Sequence, residues 1–121
     1  MPPTKTLRPR KTSTATPITA CPVEQAIHVI GGKWKLLLLR SLLLNGPQRY
    51  NELLASVTGI SAKELTRNLG ELSASGLVAA AEAAPNASKP YALTQLGEGL
   101  MPTFQSLLTW GQKLLKSATN I

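Results

Sequence analysis

Apolar positions along the first third of the chain recur at helical spacing. Val23, Ala26, Ile27 and Ile30 fall at i, i+3, i+4 and i+7, and Gly31-Gly32 closes that helix. Lys33 to Asn45 follows, apolar on nearly all sides, which predicts a helix running through the centre of a domain until Gly46-Pro47 stops it. Tyr50, Leu53, Leu54 and Val57 mark a short third helix from Tyr50 to Val57, with Gly59 as the break after it. Ser61-Ala62-Lys63-Glu64 then reads as a capping box, in which Ser and Glu satisfy the orphan amides of a helix start reciprocally. Leu65, Leu69 and Leu72 supply the core stripe of this fourth helix, and Gly76 is placed to end it in the left-handed conformation.

After Gly76 the period changes. Leu77 to Ala84 and Tyr91 to Thr94 flank Pro85-Asn86-Ala87-Ser88-Lys89-Pro90, which predicts a two-stranded hairpin with a protruding loop. A last helix is expected from about Gly97 to Lys116. Its apolar residues Leu100, Phe104, Leu107, Leu108, Leu114 and Leu115, with Trp110, exceed what a small domain covers, and that excess points to a subunit interface. Val23 and Ile27 of the first helix join this expected dimer interface.

A short helix, a tight turn and a capped second helix match the spacing of a helix-turn-helix, and a hairpin directly afterward makes it a winged one. The expected fold is therefore mainly α with a small β-hairpin, carrying terminal dimerisation helices. With the Leu65, Leu69 and Leu72 stripe turned inward, steps of about 100° per residue put Lys63, Thr66, Arg67 and Gly70 on the opposite face. In a DNA major groove, Arg67 suits a bidentate contact to guanine, Lys63 a base or a phosphate, and Thr66 a thymine methyl. Ser61 and Ala62 open the helix, where backbone amides attract phosphate. Lys89, beside Asn86 and Ser88, is the cation of the wing loop, set to reach a flanking minor groove or phosphate. The same polar face is also what an ordinary solvated helix presents; the turn, the capping box and the hairpin around it favour DNA.

Composition changes this picture in two ways. The 121 residues suit one core, and 43% hydrophobic against 16% charged suits a packed globule. A net charge of +7 implies a polyanionic partner, but residues 1–20 carry four basic groups and no acid, so more than half of the surplus lies outside the helical part. That segment, with four prolines and six threonines, is expected to be a disordered basic tail, leaving 21–121 as the domain. Its prolines spoil a transit helix, and it has no apolar run of a secretory signal. Leu36 to Leu44 is far shorter than the roughly 20 residues that span a bilayer, so no membrane partner is expected. With no Asp, one His (His28) and one Cys (Cys21), the chain lacks a catalytic triad, a close carboxylate pair and a tetrahedral zinc site, so neither an enzyme nor a cofactor is expected. A single cysteine excludes an internal disulfide framework and points to a reducing compartment.

The blocks Cys21-Pro22-Val23-Glu24, Ile30-Gly31-Gly32-Lys33-Trp34, Gly46-Pro47-Gln48-Arg49-Tyr50-Asn51-Glu52-Leu53, Gly59-Ile60-Ser61, Leu65-Thr66 with Leu69 and Leu72, and Tyr91-Ala92-Leu93-Thr94 with Gly97 and Trp110 stand out in order along the chain. Together they resemble the HxlR-type winged helix-turn-helix regulators, a MarR-like group. The resemblance implies a cytoplasmic bacterial transcription factor that dimerises through its terminal helices and binds pseudo-palindromic double-stranded DNA, as a repressor near its own gene. Gly70 stands where such helices usually carry a long polar residue, and Ala79 to Ala81 and Lys89-Pro90 make a weakly basic wing.

In several members of that family the cysteine at the Cys21 position senses oxidants or electrophiles. Here it precedes the first helix, whose positive end favours thiolate. Without a second cysteine in the chain, any disulfide joins two subunits; the plainer role is packing. His28 reads as a packing or interface residue. Trp34 and Trp110 suit a small-molecule effector cavity near the interface, or, more plainly, core for Trp34 and an interface anchor for Trp110. The rival to a DNA-binding regulator is a winged helix that uses Lys63 and Arg67 for protein–protein contact with an acidic partner.

Overall fold

The computed structural model describes residues 21–81 and 89–119. In chain order they form α1 (Pro22–Ile30), α2 (Lys33–Asn45), α3 (Tyr50–Ser56), α4 (Ala62–Ala74), β1 (Val78–Ala80), β2 (Tyr91–Leu93), α5 (Gln95–Glu98) and α6 (Met101–Thr119). The chain divides into two units, one ending at Gly31 and one beginning at Gly32. In the first, α1 starts on Pro22, whose missing amide proton costs nothing at the first helical position, and ends where Gly31 N donates to Ile27 O at 2.7 Å. Val23 and Ile27, one turn apart, are both exposed.

The second unit is built on α2. Its buried leucines, Leu38, Leu39 and Leu42, meet Leu53 of α3, the stripe Leu65, Leu69 and Leu72 of α4, and Leu77 and Val78. Val57 and Ile60 fill the corner between α3 and α4. Burial on α2 is narrower than its composition predicts: Leu36, Leu37 and Leu43 are half-buried and Leu44 is 64% exposed. The reason is thickness, since α3, α4 and the hairpin form a single layer that covers one side of α2.

Polar groups fasten this layer. Gln48 is buried, and its Nε2 donates to Ser41 Oγ at 2.9 Å and Ser41 O at 3.2 Å. Ser41 Oγ also lies 2.9 Å from Ser56 Oγ. The Gln48 backbone exchanges hydrogen bonds with Tyr91 at 3.0 and 2.7 Å, adding a rung to the hairpin. The strands pair antiparallel as Val78↔Leu93, Ala79↔Ala92 and Ala80↔Tyr91, and Ala81 N extends the ladder to Pro90 O. The expected continuation of the first strand to Ala84 and the turn Pro85–Ser88 fall largely outside the described residues.

The last helix departs from expectation. The stretch from about Gly97 to Lys116 is two elements, because Thr94 opens a short α5 by accepting from Gly97 N at 3.1 Å. Pro102, lacking an amide proton, cannot continue α5 and instead sits in the first turn of α6, where that proton has no intrahelical partner anyway. Gly97 is buried, and a β-carbon there would collide with Leu77 O, so this block of the chain requires glycine. The break leaves Leu100 and Phe104 half-buried, whereas Leu107, Leu108, Trp110, Leu114 and Leu115 remain exposed along α6. No described helix is long and apolar enough to cross a membrane.

Helix α4 ends in a Schellman motif. Leu77 N donates to Leu72 O and Gly76 N to Ser73 O, both at 3.0 Å, with Gly76 at φ +81° and both leucines buried. Gly70, by contrast, is helical, exposed and faces open space. The same substitution therefore has opposite signs at two positions six residues apart. Gly70→Ala is expected to stabilise the fold by about 1 kcal/mol, and Gly76→Ala to destabilise it by about 1–2 kcal/mol, each read from the urea unfolding midpoint.

Candidate nucleic-acid interface

The second helix of the helix-turn-helix begins at a cap shared with the core. Ser61 Oγ accepts from Glu64 N at 3.1 Å, while Glu64 Oε1 accepts from Ser61 N and from Ser61 Oγ, each at 3.1 Å. The other carboxylate oxygen, Oε2, accepts from Trp34 Nε1 at 2.9 Å. Trp34 is thus not plain core: it is half-buried on α2, thirty residues away in sequence, and its indole proton holds the start of α4. Lys33 Nζ sits 4.6 Å from the Trp34 ring centre, a cation–π contact on the same side chain. Gly59, in the turn beside that ring, has φ +89°, the left-handed region that favours glycine.

Two turns further along, Lys35 Nζ of α2 lies 2.9 Å from Glu71 Oε1, and Arg67 Nη1 lies 3.5 Å from Glu71 Oε2. Asn68, buried on the inner side, donates from Nδ2 to Glu64 O at 2.7 Å. From α3, Tyr50 Oη donates to Ala62 O at 3.0 Å and lies 2.8 Å from Thr66 Oγ1. Three ties, through Trp34, Lys35 and Tyr50, therefore fix the axial position and rotation of α4.

What α4 turns away from the core is Lys63, Thr66, Arg67 and Gly70, all exposed. The expected face is assembled as the periodicity indicates. Ser61 is committed to the cap, which leaves Ala62 and Lys63 to present the first-turn amides that have no intrahelical acceptor. Glu64 faces the cap and Trp34 rather than the open side. Lys89 is exposed at the described edge of the wing, and Asn86 and Ser88 lie outside the described residues. Cys21 is exposed at the N-cap of α1, where its carbonyl accepts from Gln25 N at 3.1 Å. Among the described residues no group of His, Cys, Asp and Glu is arranged to hold a metal ion. A groove of about 390 Å³ lies between α2 and α6, lined by Arg40, Leu43, Leu44, Met101, Phe104, Gln105, Leu107 and Leu108. Neither tryptophan lines it.

A family model described as HxlR-like helix-turn-helix matches residues 29–119. The chain belongs to the HxlR-like family. It is 43% identical over 95 residues to YkvN of Bacillus subtilis, an HTH-type transcriptional regulator, covering 76% of this chain and 78% of that protein. Among solved structures, the reduced form of the redox regulator HypR superposes with a TM-score of 0.72 at 31% identity, covering 84% of this chain and all of HypR's. The reduced form of the regulator YodB from Bacillus subtilis gives 0.67 at 30% identity, covering 78% of this chain and 94% of that one. The chain is accordingly an HxlR-family, MarR-like winged helix-turn-helix transcriptional regulator, with redox-sensing structural neighbours.

The ties made by three residues of this HxlR-like site, Lys35, Trp34 and Tyr50, escaped sequence reasoning. Arg67 and Glu71 at i,i+4 are a pairing visible in the sequence, but the partner that anchors Glu71, Lys35, is a tertiary contact. Trp34 and Tyr50 are likewise brought to α4 only by folding. These contacts set the acid response. The Ser61 amide, then the Ser61 hydroxyl, Trp34 and Arg67, hold the Glu64 carboxyl below the usual carboxylate range. Lys35, by hydrogen bond and charge, and then Arg67 do the same for Glu71. A depressed folded pKa means that the stabilisation is complete above the unfolded value, about 4.3, and is lost as pH falls through the folded one. The urea midpoint is expected to stay level from pH 7 to about 5 and then fall, with a shallower fall in Glu64→Gln and Glu71→Gln. An acid limb identical in all three proteins contradicts this assignment.

Proposed function

We propose that this chain is a homodimeric, sequence-specific repressor that acts on DNA in the cytoplasm, inserting α4 into the major groove of a pseudo-palindromic operator. The observation that carries the reading is the exposed row Lys63, Thr66, Arg67 and Gly70 on a helix tied at its start, middle and side to α2 and α3. Arg67 reads guanine, Lys63 meets a base edge or phosphate, and the amides at Ala62 and Lys63 meet backbone phosphate. Gly70 lets the groove wall approach α4 where a long side chain would stand off. The 85–90 wing, through Lys89, rests on the flanking groove.

Dimerisation through α1 and α6 is supported by their uncovered apolar residues: Val23 and Ile27 on α1, and Leu107, Leu108, Trp110 and Leu114 on α6, with Leu100 and Phe104 half-buried beneath. Exposed leucines and a tryptophan in such a row are costly in water and normal at a subunit interface. The redox part of the reading rests on the exposed Cys21 thiol at the helix start and on the likeness to HypR. Two such thiols, one per subunit, losing two electrons and two protons to an oxidant, form a disulfide that shifts the dimer between spacings that fit or miss the operator. A small-molecule effector has room in the α2–α6 groove.

Reduced protein is expected to bind DNA upstream of its own gene about 1,000-fold or more tighter than scrambled DNA at physiological salt. Arg67→Ala should cost about 1–3 kcal/mol on the specific site and relax selection at one base pair, whereas Lys63→Ala should weaken all DNAs alike and reduce the salt slope by about one. Equal, salt-sensitive affinity for both DNAs would reject the operator reading at this site and favour α4 as a protein-contact surface. For the dimer, Leu108→Glu is expected to give a monomer in sedimentation equilibrium; an unchanged dimer places the interface elsewhere.

A further inference from the structure

We infer that Tyr50 is a positioning residue for base selection: by engaging the hydroxyl of Thr66 it makes the Thr66 methyl group the surface that α4 presents, and so selects thymine at one position of each half-site. The inference rests on the DNA-binding reading above and adds a specificity-determining residue to it.

The hydrogen bonds permit one arrangement of protons. Ala62 O can only accept, so the Tyr50 hydroxyl proton goes to it across 3.0 Å. Tyr50 Oη then has only acceptor capacity left for Thr66 Oγ1 at 2.8 Å, and the Thr66 hydroxyl is the donor. A threonine within a helix otherwise divides between rotamers and returns its hydroxyl to the carbonyl four residues back, which here is Ala62 O. Tyr50 occupies that carbonyl and draws Thr66 Oγ1 toward α3, fixing one rotamer. Thr66 stays exposed while its only donor proton is consumed. It can no longer donate to the purine N7, the guanine O6 or the thymine O4 that every base pair offers in the major groove. Its oxygen keeps acceptor capacity but is drawn toward α3, which leaves the methyl to the open side, and the complement of that methyl is the C5-methyl of thymine. A phenol hydroxyl on α3, which itself need not touch DNA, thereby takes the donor away from a two-way polar side chain and favours its apolar contact.

Binding sites selected by wild-type protein from a random duplex pool provide the probe DNA. Each thymine is then replaced singly by uracil, which removes only the C5-methyl. Wild type is expected to lose about four-fold in affinity at one thymine per half-site, the worth of one buried methyl group. In Tyr50→Phe the thymine-to-uracil ratio should fall below about two, and in Thr66→Ser, which lacks the methyl, it should vanish; both figures follow from the same single-methyl contact. Because the ratio is internal to each protein, a general loss of stability or affinity does not move it, and Thr66→Ser tests the methyl even if Tyr50→Phe fails to fold. A full ratio retained by Tyr50→Phe, or no thymine sensitive in wild type, overturns the inference while leaving the DNA-binding reading intact. A wild-type protein that enriches no sequence from the pool overturns both.

Discussion

The indole proton of Trp34 and the carboxylate of Glu64 make the contact on which the geometry of the interface depends. A helix start has orphan amides and a positive end, and an isolated capping box satisfies these without saying where the helix should lie. Here the capping carboxylate has a second oxygen, and α2 reaches it. The start of α4 is therefore indexed to the most buried helix of the second unit, and Lys35–Glu71 repeats the connection two turns later. Leucine packing alone tolerates sliding and rotation, because dispersion contacts carry no direction. Directional bonds at the start and along the length of α4 remove that freedom, which a helix must lack if its side chains are to meet base edges at fixed positions.

Polar contacts play the same part elsewhere in the unit. Gln48 gives its side chain to Ser41 in α2 and its backbone to Tyr91 in the hairpin, so the segment before α3, the core helix and the wing share one residue. Thr94 receives the end of the hairpin, donating to Gly76 O at 2.6 Å while capping α5. Each links the end of one element to the beginning of another.

Much of this was legible in the sequence, and the limits have physical causes. The boundaries of α2, the cap at Ser61, the core stripe of α4 and its glycine stop follow from local rules of periodicity and capping, which act within a turn or two. The exposed row Lys63, Thr66, Arg67 and Gly70 follows from the same phase. The division at Gly99 between α5 and α6 was carried by two local signals, Thr94 and Pro102, that strong apolar periodicity in Leu100 to Leu115 overrides on a first reading. The roles of Trp34, Lys35 and Tyr50 were not legible, because each pairs with a residue distant in the chain, and an indole, an amine and a phenol have many potential partners. Charge misleads in the opposite direction: four of the basic groups behind the +7 belong to residues 1–20, and Arg67 is partly neutralised by Glu71, so selectivity depends on placement more than on total charge.

The central claim is that α4, held by these ties, is the surface that meets DNA. The most direct measurement is the backbone amide spectrum of isotope-labelled reduced protein titrated with its selected duplex. The account predicts the largest chemical-shift changes at Ala62, Lys63, Thr66, Arg67 and Gly70, a smaller set beginning at Lys89, and little change at Leu108 to Leu115 of α6. Changes confined to residues 1–20, or concentrated on α6 with α4 unmoved, would contradict it.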